Sequence, residues 1–207
     1  QKKDKGRIVF QGNNVKDQSG LSAVFAEVAS SASLLEASKL LDAIAMLPGC
    51  AGQQSDAPKA YTQSLLYGDG RVDPVDTWIE LPRNQWPKHW EGMRRPVCPL
   101  RRALYGHPLS AFFWEKHCAK SLLEVGFERI PRWECMFRHK ELGLILSVYV
   151  DDFKMAGRKE HLQKGWDLIR SKIKLDPPTD LGDYLGCGQV PMPISREQVD
   201  ERLKEVL

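Results

Sequence analysis

Several chemistries are missing from this sequence. Its 207 residues contain no HExxH, no GxSxG elbow and no P-loop, and the lone Gly186-Cys187-Gly188 is too short to signal nucleotide binding. The five histidines, His89, His107, His117, His139 and His161, form no metal-binding spacing. Cysteine is sparse and odd in number (Cys50, Cys98, Cys118, Cys135, Cys187), with no CxxC. That excludes a disulfide framework and a cysteine zinc site, and fits reduced, intracellular thiols. No run approaches the roughly 18 apolar residues of a membrane span, and no signal peptide is visible. There is no internal repeat and no low-complexity segment. Net charge is only +3, so overall charge speaks neither for nor against nucleic acid.

What is present suits an ordinary globular protein, with 42% apolar and 28% charged residues, enough for one large domain or two small ones. Charge is unevenly distributed. Residues 1–7 carry Lys2, Lys3, Lys5 and Arg7 against Asp4, and residues 83–102 carry Arg83, Lys88, Arg94, Arg95, Arg101 and Arg102 against Glu91. Such stretches can be phosphate footprints or simply solvated faces. From Asp176 onward the chain leans acidic. It begins at Gln1 inside a charged stretch and reads as a piece of something longer.

Apolar spacing predicts a helix over 33–47, capped by Ser33 with Glu36 and stopped by Pro48-Gly49. Further helices are expected over 109–125, ending at Gly126, and over 159–174, broken by Pro177-Pro178. "RIVF" (7–10) reads as a short strand and "GCAGQQS" (49–55) as a turn. Residues 69–100, rich in Pro and Trp, read as a long irregular connection with short extended pieces. Strands are expected over 133–137, 142–150 and 153–156. Ser195 with Gln198 would cap a last helix. Mixed helices and strands without βαβ regularity imply an α+β fold, a largely antiparallel sheet with helices covering one face.

Within "LILSVYVDDFKMAG", Asp151 and Asp152 follow the most hydrophobic strand. Two aspartates at a hairpin can be an ordinary polar turn. Here the flanking Ile145, Leu146, Val148 and Val150 imply that the turn emerges from a core. Paired carboxylates held there need cations, and divalent ions bound by carboxylates and phosphates are a known device for phosphoryl displacement.

The motifs resemble a family. "YVDD" (149–152) between short apolar strands is similar to the palm motif of reverse transcriptases. The wider set resembles the copia-type (Pseudoviridae-like) retrotransposon branch. "RIVFQG" resembles a fingers strand and "DAPKAY" (56–61) the first palm motif. "VCPLRRALYG" (97–106), followed by Trp114, resembles V-C-K-L-K-K-A-L-Y-G. "SLLEVGFERI", "LSVYVDDFKMAG" and "DLGDYLG" resemble later segments, so the likeness covers nearly the whole chain.

The resemblance implies a right-hand polymerase with fingers and palm. Residues 1–55 would be a fingers-like segment, 56–190 the palm with an inserted connection, and 191–207 the start of a truncated thumb-like helix. It implies an RNA-directed DNA polymerase acting on an RNA or DNA template-primer with deoxynucleotides and two Mg²⁺ ions, Mn²⁺ being the alternative. Asp56, Asp151 and Asp152 would be catalytic and metal-binding. Arg7, Lys5 and Tyr61 would bind the nucleotide, Tyr61 as a gate against the 2′-hydroxyl. Arg101, Arg102 and Tyr149 would contact nucleic acid, and Trp78, Trp86 and Trp90 would either stack on bases or pack in the loop. RNase H, integrase and protease segments of the polyprotein are absent, and the expected location is intracellular, in a cytoplasmic virus-like particle or the nucleus. There are departures from the family pattern. Leu109 stands where the family has glutamine, Pro58 and Ser64 interrupt the pattern around Asp56, and "DLGDYLG" is shortened. A catalytically inactive relic or a nucleic-acid-binding domain that keeps the fold is the alternative.

Overall fold

Two strands buried on both faces organise the molecule. The computed structural model describes residues 8–23, 25, 35–66, 77–188, 190 and 194–206. Lys5, Arg7 and Ser33 lie outside these. In chain order the elements are α1 (Leu35–Ala45), β1 (Cys50–Asp56), α2 (Ala60–Gln63), β2 (Trp78–Glu80), β3 (Val97–Pro99), α3 (Ser110–Glu124), β4 (Glu128–Arg129), β5 (Met136–His139), β6 (Leu144–Tyr149), β7 (Asp152–Arg158), α4 (Leu162–Arg170), β8 (Thr179–Asp180) and α5 (Arg196–Val206). Six of the strands form one antiparallel sheet in the order β4-β5-β6-β7-β1-β8, while β2 and β3 pair separately.

Because successive strand residues point to opposite faces, the sheet feeds two cores. Leu144, Leu146 and Val148 of β6 and Phe153 and Met155 of β7 meet Trp114, Cys118 and Leu122 of α3 and Leu162, Trp166 and Ile169 of α4. The intervening Ala156, with Met136, packs against Ala37 and Leu41 of α1. Helices therefore cover both faces of the sheet, not one as the sequence suggested. On the α1 side a polar anchor joins the apolar contact. The fully buried Lys154 ion-pairs with Asp42, donates to Ser38 Oγ at 2.9 Å and lies 5.0 Å from the Tyr184 ring centroid.

The segment expected to turn at 49–55 is instead β1, an inner strand of the sheet. It lacks an apolar signature because its polar side chains have dedicated partners. Gln53 Oε1 accepts from Trp166 Nε1 at 3.0 Å, Gln54 Oε1 accepts from the Gly182 amide at 3.1 Å, and Ser55 Oγ donates to the Asp176 carbonyl at 2.7 Å. At Gly52 a Cβ would stand 2.4 Å from Leu181 Cδ1 and 2.9 Å from Ala45 Cβ, so only glycine lets α1 lie this close. The expected boundary between residues 55 and 56 falls inside this strand.

A further core lies off the sheet. Leu66, Leu100, Ala103, Leu109 and Phe113 pack with Phe10, Phe25, Tyr61 and Ile79, mostly from irregular chain. Among the described residues of the expected strand at 7–10, none is in regular structure, and Phe10 is fixed by a bond from its amide to the Tyr105 carbonyl at 2.7 Å and one to its carbonyl from the Gly12 amide at 3.0 Å. The last helix begins as expected, with reciprocal bonds between Ser195 and Gln198.

Candidate active site

β6 and β7 form a tight hairpin in which Tyr149 opposes Asp152, leaving Val150 and Asp151 as its two-residue loop. The sequence suggested a turn made of the two aspartates. The observed turn is shifted by one residue, and Asp152 is the first residue of β7. Val150 has φ +54°, a left-handed conformation unfavourable for a β-branched residue. Holding it there costs on the order of 1–3 kcal/mol. The turn is fixed on both sides. Trp114 Nε1 donates to the Val150 carbonyl at 2.6 Å, and the Ala57 amide donates to the Asp151 carbonyl at 2.7 Å.

The third aspartate arrives by register. β1 pairs antiparallel with β7 so that Asp56 stands opposite Asp152. The Asp176 amide donates to the Asp56 carbonyl at 2.9 Å, fastening the strand end. Asp56, Asp151 and Asp152, nearly a hundred residues apart in sequence, thus meet at one end of the sheet.

Their electrostatics report that proximity. The half-buried Asp152 carboxyl is pushed up to about 6, first by burial, then by the charges of Asp151 and Asp56 and by a hydrogen bond with Asp56. A nearby cation would relieve this crowding. Among the described residues, no three His, Cys, Asp or Glu side chains could hold a metal ion by themselves. The donor set is nevertheless hard oxygen, and it fits an ion such as Mg²⁺, which takes one or two carboxylates and completes its shell with water and phosphate.

Aromatic side chains flank the acids. Tyr61, on α2, touches both the main core and the off-sheet core, and its ring lies 4.6 Å from that of Tyr105. Its hydroxyl pKa is raised by burial first, then by Tyr105, Asp151 and Tyr149. Tyr149 remains 36% exposed. Arg101 and Arg102 are both exposed, on a segment joined to 64–66 by backbone bonds. Arg102 Nη1 donates to the Thr62 carbonyl at 2.9 Å, so it braces the helix that carries Tyr61. Trp86 and Trp90 stack edge to face, with Trp86 Nε1 bonded to the Leu81 carbonyl, whereas Trp78 is 59% exposed. The expected nucleotide contacts Lys5 and Arg7 fall outside the described residues. Sequence reasoning gave no role to Tyr105 or to the Trp114 hydrogen bond. Tyr105 lies within the quoted "ALYG", but its partner ring is 44 positions away.

Among the described residues no helix is long and apolar enough to cross a membrane. A family model described as reverse transcriptase (RNA-dependent DNA polymerase) matches residues 1–191 of the chain. No curated protein and no solved structure matches it.

Proposed function

The chain belongs to the reverse transcriptase (RNA-dependent DNA polymerase) family, and we propose that it extends a primer 3′-hydroxyl with deoxynucleotides on an RNA or DNA template, as the polymerase domain of a copia-type retrotransposon polyprotein. The observation that carries this reading is the meeting of Asp56, Asp151 and Asp152 at one sheet end, with Asp152 pushed up to about 6. Bound divalent cations, two Mg²⁺ or alternatively Mn²⁺, would supply charge neutralisation at the primer oxygen and the leaving pyrophosphate. Asp56 and Asp151 would hold them, and Asp152 would shape the field around them.

Placement supports the remaining roles of the described residues, and the family resemblance those of Lys5 and Arg7. Tyr61, backed by Tyr105, would pack against the sugar and disfavour a 2′-hydroxyl. Arg102 would keep α2 in place, leaving the exposed Arg101 for template or primer phosphates. Tyr149, exposed beside the acids, would meet the primer end. Lys5 and Arg7 would contact the triphosphate. RNase H, integrase and protease modules of the same polyprotein are the proposed partners, in a cytoplasmic virus-like particle or the nucleus. Residues 1–55 would contribute the fingers, with β1 running on into the palm sheet of 56–190, and 191–207 would be the start of the thumb.

Primer extension on poly(rA)/oligo(dT) with Mg²⁺ tests the reading, comparing the chain with its Asp151→Asn variant. Extension that depends on Asp151 is expected. Equal extension by both proteins overturns the catalytic role of Asp151, and no extension by the wild type leaves a nucleic-acid-binding relic as the reading.

A further inference from the structure

The turn that presents Asp151 is held by a side chain 36 residues away. Trp114 lies on α3, is 2% exposed, and belongs to the buried cluster that includes Val148 and Phe153. Its indole N–H reaches the Val150 carbonyl at 2.6 Å. Val150 has φ +54°, which its branched side chain disfavours. Released from its partner, such a residue would drift toward extended backbone. The peptide after Val150 leads into Asp151, whose own carbonyl takes the Ala57 amide at 2.7 Å. The Trp114 bond therefore fixes the peptide on one side of Asp151, and the Ala57 bond fixes the other.

We propose that Trp114 is a positioning residue for Asp151: its indole N–H keeps Val150 in the left-handed turn, and so sets where the Asp151 carboxylate lies relative to Asp56 and Asp152. The consequence for catalysis rests on the polymerase reading; the conformational role does not. A glycine at position 150 adopts positive φ freely and needs no such hold. The effect of removing the indole donor should therefore vanish when residue 150 is glycine.

Four versions of the full chain test this: wild type, Trp114→Phe, Val150→Gly and the double variant. Amide hydrogen exchange at Ala57 reads the turn, and Met155 in the middle of β7 serves as the reference. Primer extension gives kcat and KM. Trp114→Phe keeps a ring in the core and removes the donor. It is expected to speed exchange at Ala57 about tenfold with Met155 unchanged, and to lower kcat about tenfold while KM for the nucleotide stays within about twofold. In the Val150→Gly background each change shrinks to less than about twofold. Ala57 exchange that does not respond, or that responds equally in both backgrounds, overturns the proposal, as does equal acceleration at Met155. If Trp114→Phe fails to fold, benzothienylalanine at position 114 keeps the bicycle without the N–H and gives the same comparison. A wild type that extends no primer removes the polymerase reading, while the exchange data still decide the role of Trp114.

Discussion

In the six-stranded sheet the places of Asp56 and Asp152 follow from backbone register, whereas around Leu66, Leu100 and Phe113 irregular chain is held by scattered backbone bonds and individual side chains. In that off-sheet core, Ser110 Oγ accepts from the Leu104 amide at 3.0 Å and donates to its carbonyl at 2.7 Å. The buried His107 takes the Leu109 amide on Nδ1 at 3.2 Å, so its other nitrogen carries the proton and donates to Thr77 Oγ1 at 3.2 Å. Phe10 packs at 4.9 Å from the same imidazole. A ladder shares its load among many bonds; a loop held by a few scattered ones does not. The acids stand on the stiff part. Tyr61 and Arg102 stand where the two parts join, the arrangement that suits precise chemistry beside adaptable binding.

The sharpest way to break the comparison is at the acids. Asp151→Asn is expected to lower kcat for primer extension on the order of 10³-fold while circular dichroism and melting stay close to wild type. A variant that loses activity only by unfolding would show that the sheet end depends on its carboxylates for structure. Next in size, Trp166→Ala empties the sheet core and orphans Gln53, and should cost about 3–5 kcal/mol in urea unfolding. The loss should speed amide exchange in β1 and β7 together, as a shared ladder requires.

His107→Phe sharpens the other side. It leaves the Leu109 amide unpaired and should cost about 1–3 kcal/mol, felt as faster amide exchange over 100–110 and little change in β6. The pH response separates the two regions by sign. Burial holds the His107 pKa below its ordinary value. Its contribution is therefore complete above about 6.5 and declines as pH falls below that. Asp152 behaves oppositely. Its folded value of about 6 exceeds the ordinary 3.8, so it favours the fold at low pH and loses that contribution as pH rises through about 6. Acidification from pH 7 to 5 should loosen the loops around His107 and tighten the hairpin, as residue-resolved exchange would read. The smallest effect expected is in Asp152→Asn. It should raise apo stability at pH 7 by about 1 kcal/mol, after discounting for solvent screening, and the gain should vanish near pH 4. A destabilised variant at pH 7 would mean that the crowded carboxyls already have a cationic partner.

Much of the fold was legible because its signals are local. The apolar spacing of Leu162, Trp166, Ile169 and Ile173 gave the α4 region, and Gly126 marked the end of α3. The β5–β6–β7 succession came from apolar runs separated by polar turns. At the hairpin the reading erred by one residue, because aspartate is the better turn former in isolation and the Trp114 bond instead places Val150 in the turn. The off-sheet core was the least legible part. Its contacts join residues such as Phe10 and His107, or Leu66 and Leu100, through chain without periodicity.

The sequence by itself determined that a carboxylate pair would follow a buried strand, since Leu144 to Val150 cannot be solvated cheaply and the polarity changes abruptly at Asp151. It also determined the longer helices α1, α3, α4 and α5, whose spacing is a property of neighbours along the chain, though not the single turn α2. Only the tertiary structure decided that "CAGQQSD" is a strand. Its Gln53, Gln54 and Ser55 find their hydrogen-bond partners at Trp166, Gly182 and Asp176. Polar groups can be buried in a sheet only when such partners exist, and partners more than a hundred residues away leave no mark on local pattern. Through that strand Asp56 reaches Asp152, so the site itself is a product of register between distant segments.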